Sequence, residues 1–215
     1  YDNVTVEGMG KDSSQQYVVP NEPSKVDISV KKVWEGVDKD DPLPNSVTVT
    51  LTRNGQETDK TLTLNAGNNW QGTFTGLREY DENGKKYIYG ISESPVNGYT
   101  VAVTGDAQKG FTVTNTYDPG AEGNSVDISG TKTWVDPVGT EHPAITINLL
   151  QDGTPIKSVT LENGETSYSF TDLPKYGTDG HVYVYTVEEE PVDGYSSKQD
   201  GNNFINTINQ EKIAV

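Results

Sequence analysis

Val126-Asp127-Ile128-Ser129-Gly130-Thr131-Lys132-Thr133-Trp134 has an earlier counterpart in Val26-Asp27-Ile28-Ser29-Val30-Lys31-Lys32-Val33-Trp34. Side chains along a strand alternate between two faces with a period of two. Ile128, Gly130, Lys132 and Trp134 therefore share a face, as do Ile28, Val30, Lys32 and Trp34. In both copies a lysine stands in line with Ile and Trp, on the face expected to meet the core. An ammonium group stays in water unless something compensates for its burial. What compensates here decides how the chain is read.

Working outward, the correspondence continues in order. Asn54-Gly55 matches Asp152-Gly153, and Leu77 and Tyr80 match Leu173 and Tyr176. Asn83-Gly84 matches Asp179-Gly180, and Asn97-Gly98-Tyr99 matches Asp193-Gly194-Tyr195. A period of about 100 residues is too long for a solenoid repeat and fits tandem whole domains. The expected division is 25–118 and 125–215, with a Pro/Gly-rich linker at 119–124. Residues 1–24 are read as the terminal strand of a truncated preceding repeat, or as a leader strand. Tyr17-Val18-Val19-Pro20-Asn21 resembles Phe111-Thr112-Val113-Thr114-Asn115, which closes the first copy.

Each copy reads as short strands between turn signals. The first gives 47–51, 61–64, 70–74, 87–91 and 111–115; the second gives 145–149, 159–161, 168–170, 183–187 and 204–206. Asn-Gly and Asp-Gly between such runs are hairpin signals. No segment sustains helical periodicity. The expected fold is all-β, two tandem immunoglobulin-like or prealbumin-like β-sandwiches.

The same parity test applies to the later strands. Tyr87, Tyr89, Ile91 and Glu93 share a face, as do Tyr183, Tyr185, Val187 and Glu189. Phe111, Val113 and Asn115 share another, as do Phe204 and Asn206. Each copy thus directs a Lys, a Glu and an Asn into one core. One outcome is a buried ion pair with the Asn as hydrogen-bond partner. The other is a reaction. Burial disfavours charge on both amine and carboxyl, a neutral amine is a nucleophile, and a neutral carboxyl can polarise the amide and shuttle a proton.

The ordered set of Lys-x-Trp, Asn-Gly or Asp-Gly hairpins, Leu-x-x-Tyr, Tyr-x-(Ile/Val)-x-Glu, Gly-Tyr and a closing Asn-Thr resembles the Cna B-type repeats of Gram-positive surface adhesins and pilins. The resemblance covers residues 25–118 and 124–209. It implies a spontaneous intramolecular isopeptide bond in each copy, with Lys32 joined to Asn115 and Lys132 to Asn206. Glu93 and Glu189 would assist. Asn21 would be an orphan partner from a missing upstream lysine. The implied role is a stalk or spacer, extracellular on the bacterial surface and anchored to the wall through a segment not among these residues. Its partners would be neighbouring repeats; the alternative is an adhesive module for a host protein or glycan. The approach from Tyr195 to Asn206 is shorter than that from Tyr99 to Asn115. The strand before Asn206 is therefore expected to be clipped and the second bond less secure.

Composition narrows the remaining classes. The chain has 215 residues, 32% of them hydrophobic, and a net charge of −16; its mean hydropathy is −0.67. Such acidity argues against nucleic acid and anionic lipid as partners. There is no cysteine, which excludes disulfides and thiolate metal sites. No apolar run is long enough to span a membrane. No signal peptide opens the sequence, so an exported protein would contain it as an internal stretch. His142 and His181 lack equivalents in the other copy, and Asp38-Lys39-Asp40-Asp41 lacks the ligand spacing of an EF-hand. Neither they nor any phosphate-loop or hydrolase motif indicates an enzyme, metal or cofactor. Trp34 and Trp134 are expected in the core.

Overall fold

The structure, a computed structural model, describes residues 23–209. Asn21 and nearly all of 1–24 lie outside the described residues. Strands β1 (Lys25–Glu35), β2 (Val47–Arg53), β3 (Gln56–Leu64), β4 (Gln71–Arg78), β5 (Tyr89–Glu93), β6 (Tyr99–Asp106) and β7 (Gly110–Tyr117) build the first repeat. Strands β8 (Ser125–Val135), β9 (Ile145–Gln151), β10 (Thr154–Leu161), β11 (Ser167–Pro174), β12 (Tyr185–Glu189), β13 (Tyr195–Asp200) and β14 (Asn203–Ile208) build the second.

Turn chemistry sets the local pairing. Asn54 and Gly55 both have positive φ, 53° and 79°, as do Asp152 and Gly153, 50° and 80°. Two successive positive-φ residues suit a hairpin turn whose twist matches its strands. They join β2 to β3 and β9 to β10. Each repeat is a sandwich of two sheets. The first has orders β4-β1-β7-β6 and β3-β2-β5, the second β11-β8-β14-β13 and β10-β9-β12. In the second repeat the opening and closing strands, β8 and β14, are parallel neighbours.

The core between the sheets is thin. In the first repeat it comprises Ile28, Val30, Val49, Leu51, Leu64, Phe74, Leu77, Phe111 and Val113, among others. In the second, Ile145, Ile147, Leu149, Leu161, Phe170, Leu173, Val187 and Phe204 take that place. The repeats exchange bulk across one strand pair. Val30 faces Gly72 in the first, and Gly130 faces Tyr168 in the second. A Cβ on Gly130 would lie 1.9 Å from the Asn202 carbonyl oxygen and 2.6 Å from the Tyr168 hydroxyl. The Tyr168 hydroxyl in turn donates to that carbonyl at 2.5 Å.

Two strands were not among those expected. β6 and β13 are exposed on both parities apart from their half-buried first tyrosines, so no apolar alternation marks them. Both are edge strands. Trp34 and Trp134 are half-buried, not core residues; Trp134 packs against the rim of its core. The shortening in the second repeat is real: β13 and β14 have 6 residues each, β6 and β7 have 8. It trims the hairpin and leaves Asn206 in register opposite Trp134 and Ser197.

Gly130→Ala should destabilise the second repeat by about 1–3 kcal/mol, because its neighbour is backbone. Gly72→Ala should do less, since its Cβ would meet only leucine side chains at 3.1 Å. Urea denaturation of the two variants compares them directly.

Candidate functional site

The parity of β1 and β8 turns Lys32 and Lys132 inward, where they are 3% and 2% exposed. β7 and β14, hydrogen-bonded alongside, turn Asn115 and Asn206 to the same face, at 1% and 0%. Glu93 and Glu189 reach across from the opposing sheets on β5 and β12. Lys32 Nζ lies 3.6 Å from Glu93 Oε1, and Lys132 Nζ lies 2.7 Å from Glu189 Oε1. Lys32 Nζ also donates to the Val33 and Val113 carbonyls at 3.2 and 3.5 Å. Each repeat therefore gathers its three expected residues into one buried cluster.

The asparagines are unusual. Neither amide makes a hydrogen bond of regular geometry among the described residues, although the Asn115 side chain lies close enough to the Glu93 carboxyl to act on it as a donor. An unpaired buried polar group costs about 1–3 kcal/mol, and native interiors hold few of them. The Asn115 amide is within reach of the Glu93 carboxyl, and Asn206 lies on β14 directly alongside β8, the strand that carries Lys132.

Burial shifts both lysines and Glu93 toward their neutral forms. Burial holds the Lys32 amine down to about 8, with the Glu93 charge pulling the other way. Burial pushes the Glu93 carboxyl up, opposed by Lys32. Lys132 is lowered by burial too. A site of this kind holds an amine that can lose its proton and a carboxyl that can accept one, next to an amide carbon.

Aromatic rings cap the second cluster. Lys132 Nζ lies 4.3 Å from the centre of the Trp134 ring. His142 stacks on that ring at 4.2 Å, and Tyr195 meets it edge-on at 4.8 Å. Asp136 Oδ2 joins the cap, 2.8 Å from His142 Nε2 and accepting from the Tyr195 hydroxyl at 3.0 Å. In the first repeat Trp34 meets Tyr99 edge-on at 5.0 Å. His142 is thus a packing partner that the sequence left unpaired. His181 likewise lies between Asp179 and Asp152, 3.2 Å from the latter. The acidic residues flanking these histidines were a signal that could have been read. No cluster of three or more His, Cys, Asp or Glu among the described residues could hold a metal.

The chain matches the Cna protein B-type domain family over residues 28–116 and 128–209. A collagen adhesin of Staphylococcus aureus is 35% identical over 191 residues, covering 86% of this chain and 16% of the adhesin. A crystal structure of two B repeat units of the S. aureus collagen binding protein is similar with a TM-score of 0.50. It is 31% identical, with 86% of this chain and 49% of that one covered. A single B repeat unit of the same protein is 34% identical, with 86% and 97% covered and a TM-score of 0.39. The chain therefore spans a sixth of the adhesin's length and half of the two-repeat structure.

The lowered Lys32 value has a consequence for stability. Between about 8 and the ordinary 10.5, the unfolded chain holds a proton that the folded one has released. Stability contributed by this site therefore rises with pH across that window. In an Asn115→Ala protein, first-repeat stability should climb from pH 8 to 10.5 relative to an Asn115→Ala/Lys32→Met protein. Urea titrations at several pH values give the comparison, and a flat difference would contradict the buried amine.

Proposed function

The chain belongs to the Cna protein B-type domain family, and from that premise we propose that it forms two stalk modules of a bacterial surface adhesin or pilin, each closed by a Lys–Asn isopeptide bond. The modules are 25–118 and 125–215, joined by 119–124. The observation that carries the proposal is the buried Lys–Glu pair of each repeat with a buried Asn amide on the neighbouring strand, none of whose polar atoms makes a hydrogen bond of regular geometry. A plain buried ion pair would leave those amides as unexplained expense. A condensation removes the amide NH2 and uses the carbonyl carbon.

The chemistry needs only the residues present. Neutral Lys32 Nζ attacks Cγ of Asn115, and Glu93 donates to the amide oxygen as charge develops there. Glu93 then takes a proton from the attacking nitrogen and passes one to the departing amide nitrogen. A C–N bond forms, a C–N bond breaks, and one ammonia leaves. Lys132, Glu189 and Asn206 take the same roles. Folding supplies the proximity that a bimolecular reaction would lack. Each module reacts once, so this is maturation and not turnover.

The bond ties the opening strand of a module to its closing strand. By analogy with a disulfide over a loop of that size, it adds roughly 4–5 kcal/mol. Its mechanical effect is greater, since force applied at the two ends would load a covalent tie before the sheet. That suits an extracellular stalk whose partners are neighbouring repeats and whose wall anchor lies elsewhere in the protein. The alternative, an adhesive module for a host protein or glycan, rests on the name of a relative of which this chain spans 16%.

The intact mass of the denatured protein should fall short of the sequence mass by two ammonias. Lys32→Ala and Lys132→Ala should each restore one. A full sequence mass would overturn the bond and leave two buried polar networks.

A further inference from the structure

The two repeats hold their carboxyls differently. Glu189 presents Oε1 to Lys132 and accepts from the Ser197 hydroxyl at Oε2, at 2.8 Å. Ser197 stands on β13 directly opposite Asn206 on β14, so hydroxyl and amide flank the place where the carboxyl arrives from β12. Two residues on, Gln199 Nε2 donates to the Val187 carbonyl of β12 at 2.9 Å. The edge strand β13 thus bridges to the opposing sheet through two exposed residues on the Asn206 side of the strand.

Among the described residues of the first repeat, β6 offers no equivalent donor. Aligned on Gly98-Tyr99 and Gly194-Tyr195, Val101 and Val103 occupy the positions of Ser197 and Gln199. They are 53% and 41% exposed, and a valine offers no donor. There the carboxyl lies 3.6 Å from its lysine, against 2.7 Å in the second repeat.

We infer that Ser197 is a positioning residue for the second cross-link, its hydroxyl fixing the Glu189 carboxyl so that Oε1 serves Lys132 and Asn206. The inference rests on the isopeptide reading above. By occupying Oε2, the Ser197 hydroxyl leaves Oε1 as the atom that exchanges the proton. The net reaction is unchanged: amine plus amide gives secondary amide plus ammonia, with the proton relayed through Oε1. Ser197 itself gains and loses nothing.

Two effects of removing the hydroxyl oppose each other. A donor to a carboxylate favours the charged pair, which is unreactive, so its loss speeds the reaction; for one exposed hydroxyl this is worth less than about tenfold. A carboxyl misplaced by about 1 Å slows a reaction of this kind by up to about a hundredfold. Positioning prevails, and the net expectation is a slowing of about tenfold.

Every chain carries both sites, so the first repeat serves as an internal clock. The full chain is made by cell-free synthesis and quenched in acid at intervals. After digestion, the Lys132–Asn206 and Lys32–Asn115 branched peptides are quantified by mass spectrometry. Ser197→Val should slow the second cross-link about tenfold relative to the first, while Ser197→Thr, which keeps the hydroxyl, should restore it. Val101→Ser should speed the first cross-link in a molecule whose second repeat is untouched, which answers the question even if Ser197→Val folds poorly. An unchanged ratio in Ser197→Val, or a threonine variant as slow as the valine one, would overturn the role of the hydroxyl. Absence of both branched peptides from the unaltered chain would instead overturn the isopeptide reading itself.

Discussion

A lysine amine, a glutamate carboxyl and an asparagine amide are shut inside a thin apolar core, and the architecture of each repeat is built to hold them there. Two sheets are needed because the carboxyl must come from across the core. The opening and closing strands must be neighbours because the amine and the amide come from them. The second repeat shows the geometry most directly: β8 and β14 run parallel, with Phe204 opposite Lys132 and Asn206 opposite Trp134. Moving either strand by one residue would turn its polar group to solvent and an outward residue to the core.

The buried polarity is offset by the pairing of each lysine with a glutamate, while burial brings the neutral forms within closer reach. Desolvation lowers both lysines and raises Glu93. In the second repeat the Trp134 ring covers the Lys132 amine, with His142 stacked on that ring, Tyr195 edge-on to it, and Asp136 bonded to both. The repeats reach this end by different packing. Val30 against Gly72 and Gly130 against Tyr168 fill the same layer from opposite strands. The bulky member of the pair changes strands, and the residue facing it is a glycine in each case, as close packing requires.

The edge strands carry the difference between the two repeats. β6 is longer and bears exposed valines, whereas β13 is shorter and polar, with Ser197 and Gln199 bridging to β12. Shortening the second hairpin therefore did not loosen its buried cluster. The Lys–Glu approach is the closer one there, 2.7 Å against 3.6 Å, and Asn206 keeps its register opposite Ser197 and Trp134.

Much was legible before any coordinates, because strand parity is a property of the backbone. A period of two is enough to place Lys32, Glu93 and Asn115, and their counterparts, on inward faces, and paired Asn-Gly and Asp-Gly turns mark the β2–β3 and β9–β10 hairpins. The tandem organisation follows from matched motifs alone. Parity, however, names a face and not what lies across the gap of about 10 Å between sheets. Which carboxyl oxygen meets which amine, the donation from Ser197, and the seating of His142 on Trp134 depend on side chains from different sheets and loops arriving together. β6 and β13 also escaped notice, because an edge strand exposed on both faces carries no alternation and is held by hydrogen bonds to a neighbour that only the folded sheet supplies.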